Sequence, residues 1–147
     1  MQDRLSTDEM RLWHAWKTMG EVVRARIVQE ITSSTGLSDQ DYGVLSRLNE
    51  IGSGQLRQQT LAELMHWSKS RLSHHLTRMQ DRGLVLRQAV ENDAGVLIVM
   101  TPTGREVLDR AYPVHAKAVR RHLLDRLTPD ELRMLDAIAT RLENDTF

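Results

Sequence analysis

Cysteine is absent from the 147 residues, which excludes disulfides, thiolate metal sites and any cysteine-based redox switch. No apolar run approaches the roughly 18 residues that a membrane span requires. The N-terminus carries Asp3, Arg4, Asp8 and Glu9 and lacks the character of a signal peptide, so a cytoplasmic protein with no membrane partner is expected. Enzyme signatures are missing too. Gly52-Ser53-Gly54 is too short for a phosphate loop and precedes the wrong element, and no His-Glu-x-x-His, nucleotide fingerprint or paired catalytic carboxylates occur. No catalytic activity, cofactor or metal is expected. Net charge is also lacking, with 20 basic and 20 acidic residues, which at first sight argues against a nucleic-acid partner.

The charge is nevertheless segregated. Residues 57–87 hold six basic side chains against two acidic ones, a net +4, while the flanking segments 1–56 and 88–147 are each at −2. A local patch of this kind matters more to a polyanion than the total does. The patch is densest from Ser68 to Val85. There Leu72, Leu76 and Met79 recur at i, i+4 and i+7 as one apolar helical stripe. Ser70, Arg71, His74 and Arg78 fall on the opposite side, with Lys69, His75 and Arg82 nearby. Ser68 is placed to cap the helix and Gly83 to end it in a left-handed conformation. A short basic helix of this design fits a DNA major groove, where Arg71 can donate bidentately to guanine and Ser70 or His74 can read base edges or bind phosphate. The competing reading is a merely solvated charged face.

The surrounding sequence supplies the context. Ser6 and Glu9 form a capping box. Trp13, Trp16, Met19, Val23, Ile27 and Ile31 follow at three- and four-residue steps, which predicts a first helix to about Ile31, broken by Ser33-Ser34-Thr35-Gly36. Ser38 caps a second helix with Tyr42, Leu45 and Leu48 inward. A very short strand is expected at Gln55 to Arg57, and a third helix from Thr60. Leu84–Val90 and Val96–Met100 flank the turn cluster Asn92-Asp93-Ala94-Gly95 and predict a hairpin. Thr101-Pro102 opens a helix expected to continue through Leu108, Ala111, Val114, Ala118 and Leu124 with a kink at Pro113, and Thr128-Pro129-Asp130-Glu131 opens the last. The fold class is therefore mainly α with a small β-hairpin, a winged helix-turn-helix with helices at both ends. The outer helices carry apolar stripes that so small a chain has little to cover. A homodimer would cover them; a monomeric helical lobe packed on the winged part is the alternative.

In this order the segments resemble the MarR family of winged helix-turn-helix transcriptional regulators along nearly the whole chain. The resemblance rests on Leu37-Ser38 leading to Val44-Leu45 and Leu48, on Thr60-Leu61-Ala62-Glu63-Leu64, and most of all on Ser68 to Val85 with Arg87. Met100-Thr101-Pro102-Thr103-Gly104-Arg105 and Leu127-Thr128-Pro129-Asp130-Glu131-Leu132 extend it. It implies a dimerisation helix over 1–36, a DNA-binding region over 37–101 and dimerisation helices over 102–147. It further implies a homodimeric repressor on a palindromic operator, relieved by a small ligand. The residues expected on double-stranded DNA are Arg57, Lys69, Ser70, Arg71, Ser73, His74, His75, Arg78 and Arg87. One departure stands out. Family wings usually carry Asp-x-Arg at the tip, whereas Asp93 is followed here by Ala94-Gly95-Val96. Arg87 at the hairpin base is the nearest basic substitute in sequence, and the wing is expected to add less affinity than usual. A protein-binding winged module and a non-specific architectural DNA binder remain the other readings.

Three of the six aromatic residues are tryptophans. Trp13 and Trp16 fit simple core positions. Through the resemblance, together with Met19 and Tyr42, they also fit a pocket for a small aromatic or phenolic effector, with His14 or Arg11 as a polar contact. His115 and His122 lie seven apart on one helical face, and His74-His75 are adjacent and diverge; neither pair makes a good ligand set.

Overall fold

The computed structural model describes residues 3–144. The chain divides into two compact units, residues 31–114 and residues 1–30 with 115–147, the division falling within two of its helices.

The unit over 31–114 holds the end of α1 (Thr7–Thr35), then α2 (Asp39–Glu50), β1 (Gln55–Arg57), α3 (Gln58–Met65), α4 (Lys69–Asp81), β2 (Val85–Ala89), β3 (Val96–Met100) and the first part of α5 (Pro102–His122). The three strands form one antiparallel sheet in the order β1-β3-β2. Arg57 stands opposite Leu97, and Val85 opposite Met100. The inward stripes of α2 (Val44, Leu45, Leu48) and α4 (Leu72, Leu76, Met79) meet Leu37, Leu61, Val85, Ile98 and Leu108 in a core whose members are fully buried. This is the helix-turn-helix with a hairpin wing that the periodicity predicts.

Local chemistry sets the element ends. The first helix runs past Ile31 to Thr35, because the Thr35 hydroxyl donates to the Ile31 carbonyl at 2.7 Å and accepts from the Leu37 amide at 3.2 Å. Ser38 caps α2 reciprocally: its hydroxyl accepts from the Asp41 amide, and the Asp41 carboxylate accepts from the Ser38 amide, both at 3.0 Å. Helix α3 begins at Gln58, not at Thr60, with extended Arg57 at its cap and no capping side chain, so the strand that precedes it sets its start. Ser68 caps α4 by accepting from the Arg71 amide at 3.1 Å. Gly83, at φ +74°, ends it, with the Leu84 amide returning to the Met79 carbonyl. The first wing strand is trimmed at both ends to Val85–Ala89, while the second keeps its expected bounds Val96–Met100; Asn92 between them is left-handed at φ +58°.

The other unit comprises α1 to Glu30, α5 from His115, a 3-10 turn (Leu124–Arg126) and α6 (Pro129–Asn144). Helix α5 contains Pro113 and stops at His122, short of Leu124. Capping boxes open α1 (Ser6 with Glu9) and α6 (Thr128 with Glu131). Glu30 binds His122 Nε2 at 2.6 Å and Arg121 at 3.0 Å, contacts that hold its carboxyl below the usual range, the histidine first. Leu12, Trp13, Trp16, Met19, Met134, Ile138 and Leu142 are exposed, and α6 has no buried residue. Among the described residues no helix is long and apolar enough to cross a membrane.

Candidate nucleic-acid interface

Helix α4 is a basic helix seated on a greasy base. With Leu72, Leu76 and Met79 buried, Lys69, Ser70, Arg71, His74, Thr77 and Arg78 are all exposed. Ser70, Arg71, His74 and Arg78 thus fall on the outward face that the periodicity predicts. The helix presents two hydroxyls, an imidazole and three cationic side chains there, a donor-rich set suited to phosphate oxygens and to the acceptor edges of purines.

His75 is placed differently from the expectation. It is three residues after Leu72 and four before Met79, so it belongs to the apolar stripe and is buried. It therefore has no face to offer to a phosphate. Its Nε2 lies 3.0 Å from Asp41 Oδ1 on α2, close but off the hydrogen-bond line, and its Nδ1 faces Arg78 Nη2 at 3.2 Å. Arg82 completes this cluster, donating to Asp41 Oδ2 at 2.6 Å and to the Gly36 carbonyl at 3.2 Å. Burial is the largest single influence on the Asp41 carboxyl and pushes its pKa up. His75, Arg82 and the Ser38 amide together outweigh it and hold the group well below the usual carboxylate range. Sequence reasoning missed Asp41. The signal was there in the spacing Ser38-x-x-Asp41, a capping box with Asp in place of Glu.

The two arginines flanking the wing have distinct roles. Arg87, on β2, turns to α4: its guanidinium donates to the Ser73 carbonyl at 2.5 Å and to the Thr77 hydroxyl at 3.0 Å, and Ser73 is half-buried beneath it. It clamps strand to helix and does not stand in for a wing-tip cation. Arg57, from the neighbouring strand β1, does reach the tip, where Nη1 donates to Asp93 Oδ2 at 2.6 Å. Asp93 Oδ1 in turn accepts from the Gly95 amide at 2.8 Å. Gly95 leaves room for the guanidinium, since a Cβ there would come within 2.9 Å of Arg57 Nη1. Both partners stay about half exposed.

Of the residues expected to line an effector pocket, Trp13, Trp16 and Met19 are about half exposed along α1, which is not the simple core position that also fitted the tryptophans. Tyr42, on α2, is half-buried and meets Tyr112 edge-on, with ring centroids 6.3 Å apart. Burial first, then the neighbouring Tyr112 and Glu50, push its phenol up to about 12, so it stays a neutral donor. Tyr112 itself accepts from Asn49 at 2.8 Å, and Asn49 accepts from Arg105.

Comparison with known proteins gives this arrangement a lineage. The MarR family profile matches residues 35–94, from the end of α1 to the wing tip. The chain is 32% identical to AbsC, a MarR family transcriptional regulator from Streptomyces coelicolor, with a TM-score of 0.86 over 98% of this chain and 100% of that one. It is 29% identical to Sco3205, a MarR family transcriptional regulator from the same organism solved in complex with DNA, with a TM-score of 0.88 over 97% and 90% of the two chains. The organohalide-sensing regulator RdhR-CbdbA1625 in its 2,4-dichlorophenol-bound form shares the fold, at 20% identity and a TM-score of 0.81 over 98% and 83%. No curated protein sequence gives a significant match. With a capped basic helix on a buried stripe, a three-stranded wing, and likeness to AbsC over the whole length, the chain belongs to the MarR family of transcriptional regulators.

Proposed function

We propose that this chain is a homodimeric, sequence-specific DNA-binding repressor that a small aromatic or phenolic ligand releases from a palindromic operator. The observation that carries the reading is the outward face of α4, where Ser70, Arg71, His74 and Arg78 are exposed together on a helix whose opposite stripe is fully buried. Sco3205, which shares the fold along nearly its whole length, was solved on DNA. In a two-fold dimer each copy places Lys69–Asp81 in a major groove, the two half-sites lying about one helical turn apart. The exposed apolar side chains of α1 and α6 supply the surface that a second copy would bury.

Side chains suited to such a ligand occur in each unit by itself: Trp13, Trp16 and Met19 on α1 offer aromatic faces and a polarisable thioether, and Tyr42 on α2 a neutral phenol donor. RdhR-CbdbA1625 binds 2,4-dichlorophenol within the same fold. Ligand and operator then oppose one another reciprocally, each weakening the other by the same factor.

Selection of bound fragments from random duplex DNA, with footprinting of the winner, tests the reading. A palindrome protected at two sites about 10 base pairs apart is expected, with affinity that falls steeply as salt rises. An asymmetric site or no enrichment refutes the dimeric reader. Salt-dependent binding without sequence preference points to an architectural binder, and absence of duplex binding to a protein-binding module.

A further inference from the structure

Two exposed arginines of α4 are held by aromatic side chains, Arg71 over the ring of Trp67 and Arg78 at the ring nitrogen of His75. Trp67 fills the turn between α3 and α4. His66 before it adopts a left-handed backbone at φ +55°, and the Trp67 amide donates to the Ala62 carbonyl at 3.0 Å. This turn delivers the indole beneath Arg71, whose guanidinium carbon lies 4.0 Å from the ring centroid. The indole meets His75 edge-on, with centroids 5.6 Å apart and planes at 87°. His75 Nδ1 then faces Arg78 Nη2 at 3.2 Å. A guanidinium offers only donors, so Nδ1 is the acceptor. With Nδ1 accepting, the ring N–H is left at Nε2, the nitrogen turned to the buried carboxylate of Asp41 at 3.0 Å. Asp41 is itself fixed by Arg82 and by the cap of α2. The result is a connected layer, from the N-terminus of α2 through His75 and Trp67, lying under two cationic side chains seven residues, about two helical turns, apart.

We propose that Trp67 and His75 are positioning residues for sequence discrimination, holding Arg71 and Arg78 in their base-facing directions before DNA arrives. The inference rests on the reading that α4 enters the major groove. Its physical basis is that a cation–π contact uses the face of the guanidinium and leaves its edge donors free for a bidentate contact to a base. A long side chain that is already fixed also loses less conformational freedom on binding, and it adapts less readily to a wrong base. His75 plays the same part for Arg78 through the hydrogen bond that its Nδ1 accepts.

The test compares base preference at each operator position for wild type, R71A, R78A, W67F, W67L, H75N, H75L and the double variant W67L/R71A, with urea midpoints measured in parallel. W67L is expected to lower discrimination about five- to tenfold at the base pair that R71A also affects, with no further loss in the double variant and an unchanged salt slope. W67F, which keeps an aromatic face, retains most of the preference. H75L reproduces the R78A profile, and H75N, which keeps an acceptor close to the position of Nδ1, restores it. Side-chain nuclear magnetic resonance of the DNA-free protein gives a second readout, in which the Arg71 guanidinium moves faster in W67L and that of Arg78 in H75L. If R71A and R78A change the profile while W67L and H75L leave it intact, or if their losses are equal on operator and random DNA, the positioning role is overturned alone. If R71A and R78A themselves leave the profile unchanged, the groove-reading role of α4 falls and the inference with it.

Discussion

Replacing Asp41 by asparagine probes the junction between the reading helix and the rest of its unit. The Asp41 side chain is 2% exposed and its carboxylate meets Arg82 Nη1 at 2.6 Å, His75 Nε2 at 3.0 Å and the Ser38 amide at 3.0 Å. The amide of D41N would keep the size and one acceptor oxygen, so the cap of α2 survives, but the charge is removed. Breaking a buried ion pair by removing one partner costs about 3–5 kcal/mol. Arg82 is 45% exposed and recovers part of its hydration, which brings the expected loss to about 2–3 kcal/mol. With a urea slope of about 1–3 kcal/mol per molar, the unfolding midpoint should fall by about 1–2 M, measured at matched protein concentration because any self-association would add to stability.

The sign with pH follows from the direction of the shift. The folded carboxyl titrates below its unfolded value of about 3.9, so its stabilisation is fully present above that value and is lost as pH falls through the folded one. The gap between wild type and D41N should therefore stand open above about pH 4 and narrow below it. Urea titrations monitored by circular dichroism at several pH values provide the measurement. Equal midpoints at neutral pH, or a gap of the same size at pH 7 and well below pH 4, would refute the reasoning.

The Arg71→Ala variant should lose about 1–3 kcal/mol of specific binding and relax the preference at one position of each half-site; a change confined to the salt slope would make Arg71 a phosphate contact instead. An arginine inserted after Ala94 should tighten operator binding and steepen the salt dependence by about one unit, and unchanged affinity would count against a weak wing. Met134→Glu combined with Leu142→Glu, at two exposed apolar positions of α6, should shift sedimentation toward the monomer and weaken operator binding at least about tenfold; persistence of the dimer would place its interface elsewhere.

The sequence was most readable where a local signal carries its own mechanism. Ser6, Ser38, Ser68 and Thr128 each cap the helix that their spacing predicts, and Gly83 closes α4 as a residue free to take positive φ must. The turn cluster from Asn92 located the hairpin. What was not legible depends on partners distant in the chain. The start of α3 is set by the strand before it and has no cap to announce it. Position 75 lies at the border of the apolar stripe, and a histidine there reads as surface unless the buried carboxylate 34 residues earlier is known to face it. The same holds for Arg57 and Asp93, 36 residues apart and brought together only by the strand order β1-β3-β2.

That strand order bears on how binding energy is distributed over the molecule. A wing whose tip carries its own arginine adds a whole positive charge to the surface that meets DNA. Here the tip cation comes from β1 and arrives already paired: Arg57 and Asp93 are 2.6 Å apart and sum to no net charge. An exposed pair of this kind contributes about 0–1 kcal/mol to stability, so it orders the tip more than it stabilises the fold. Arg57 must share its guanidinium with a carboxylate that phosphate repels, which weakens any attraction the tip exerts on the backbone. Arg87 adds no charge at the tip either, since its guanidinium is directed to Ser73 and Thr77 on α4. Both arginines that frame the wing thus serve the architecture, one ordering the tip and the other bracing the reading helix from behind. The cations left to meet DNA with few competing carboxylates are those of α4 itself, Lys69, Arg71 and Arg78, two of them held on a floor of Trp67 and His75. If α4 is the helix that enters the groove, discrimination is concentrated in it, and the rigidity of the layer beneath it would set how sharply the protein discriminates.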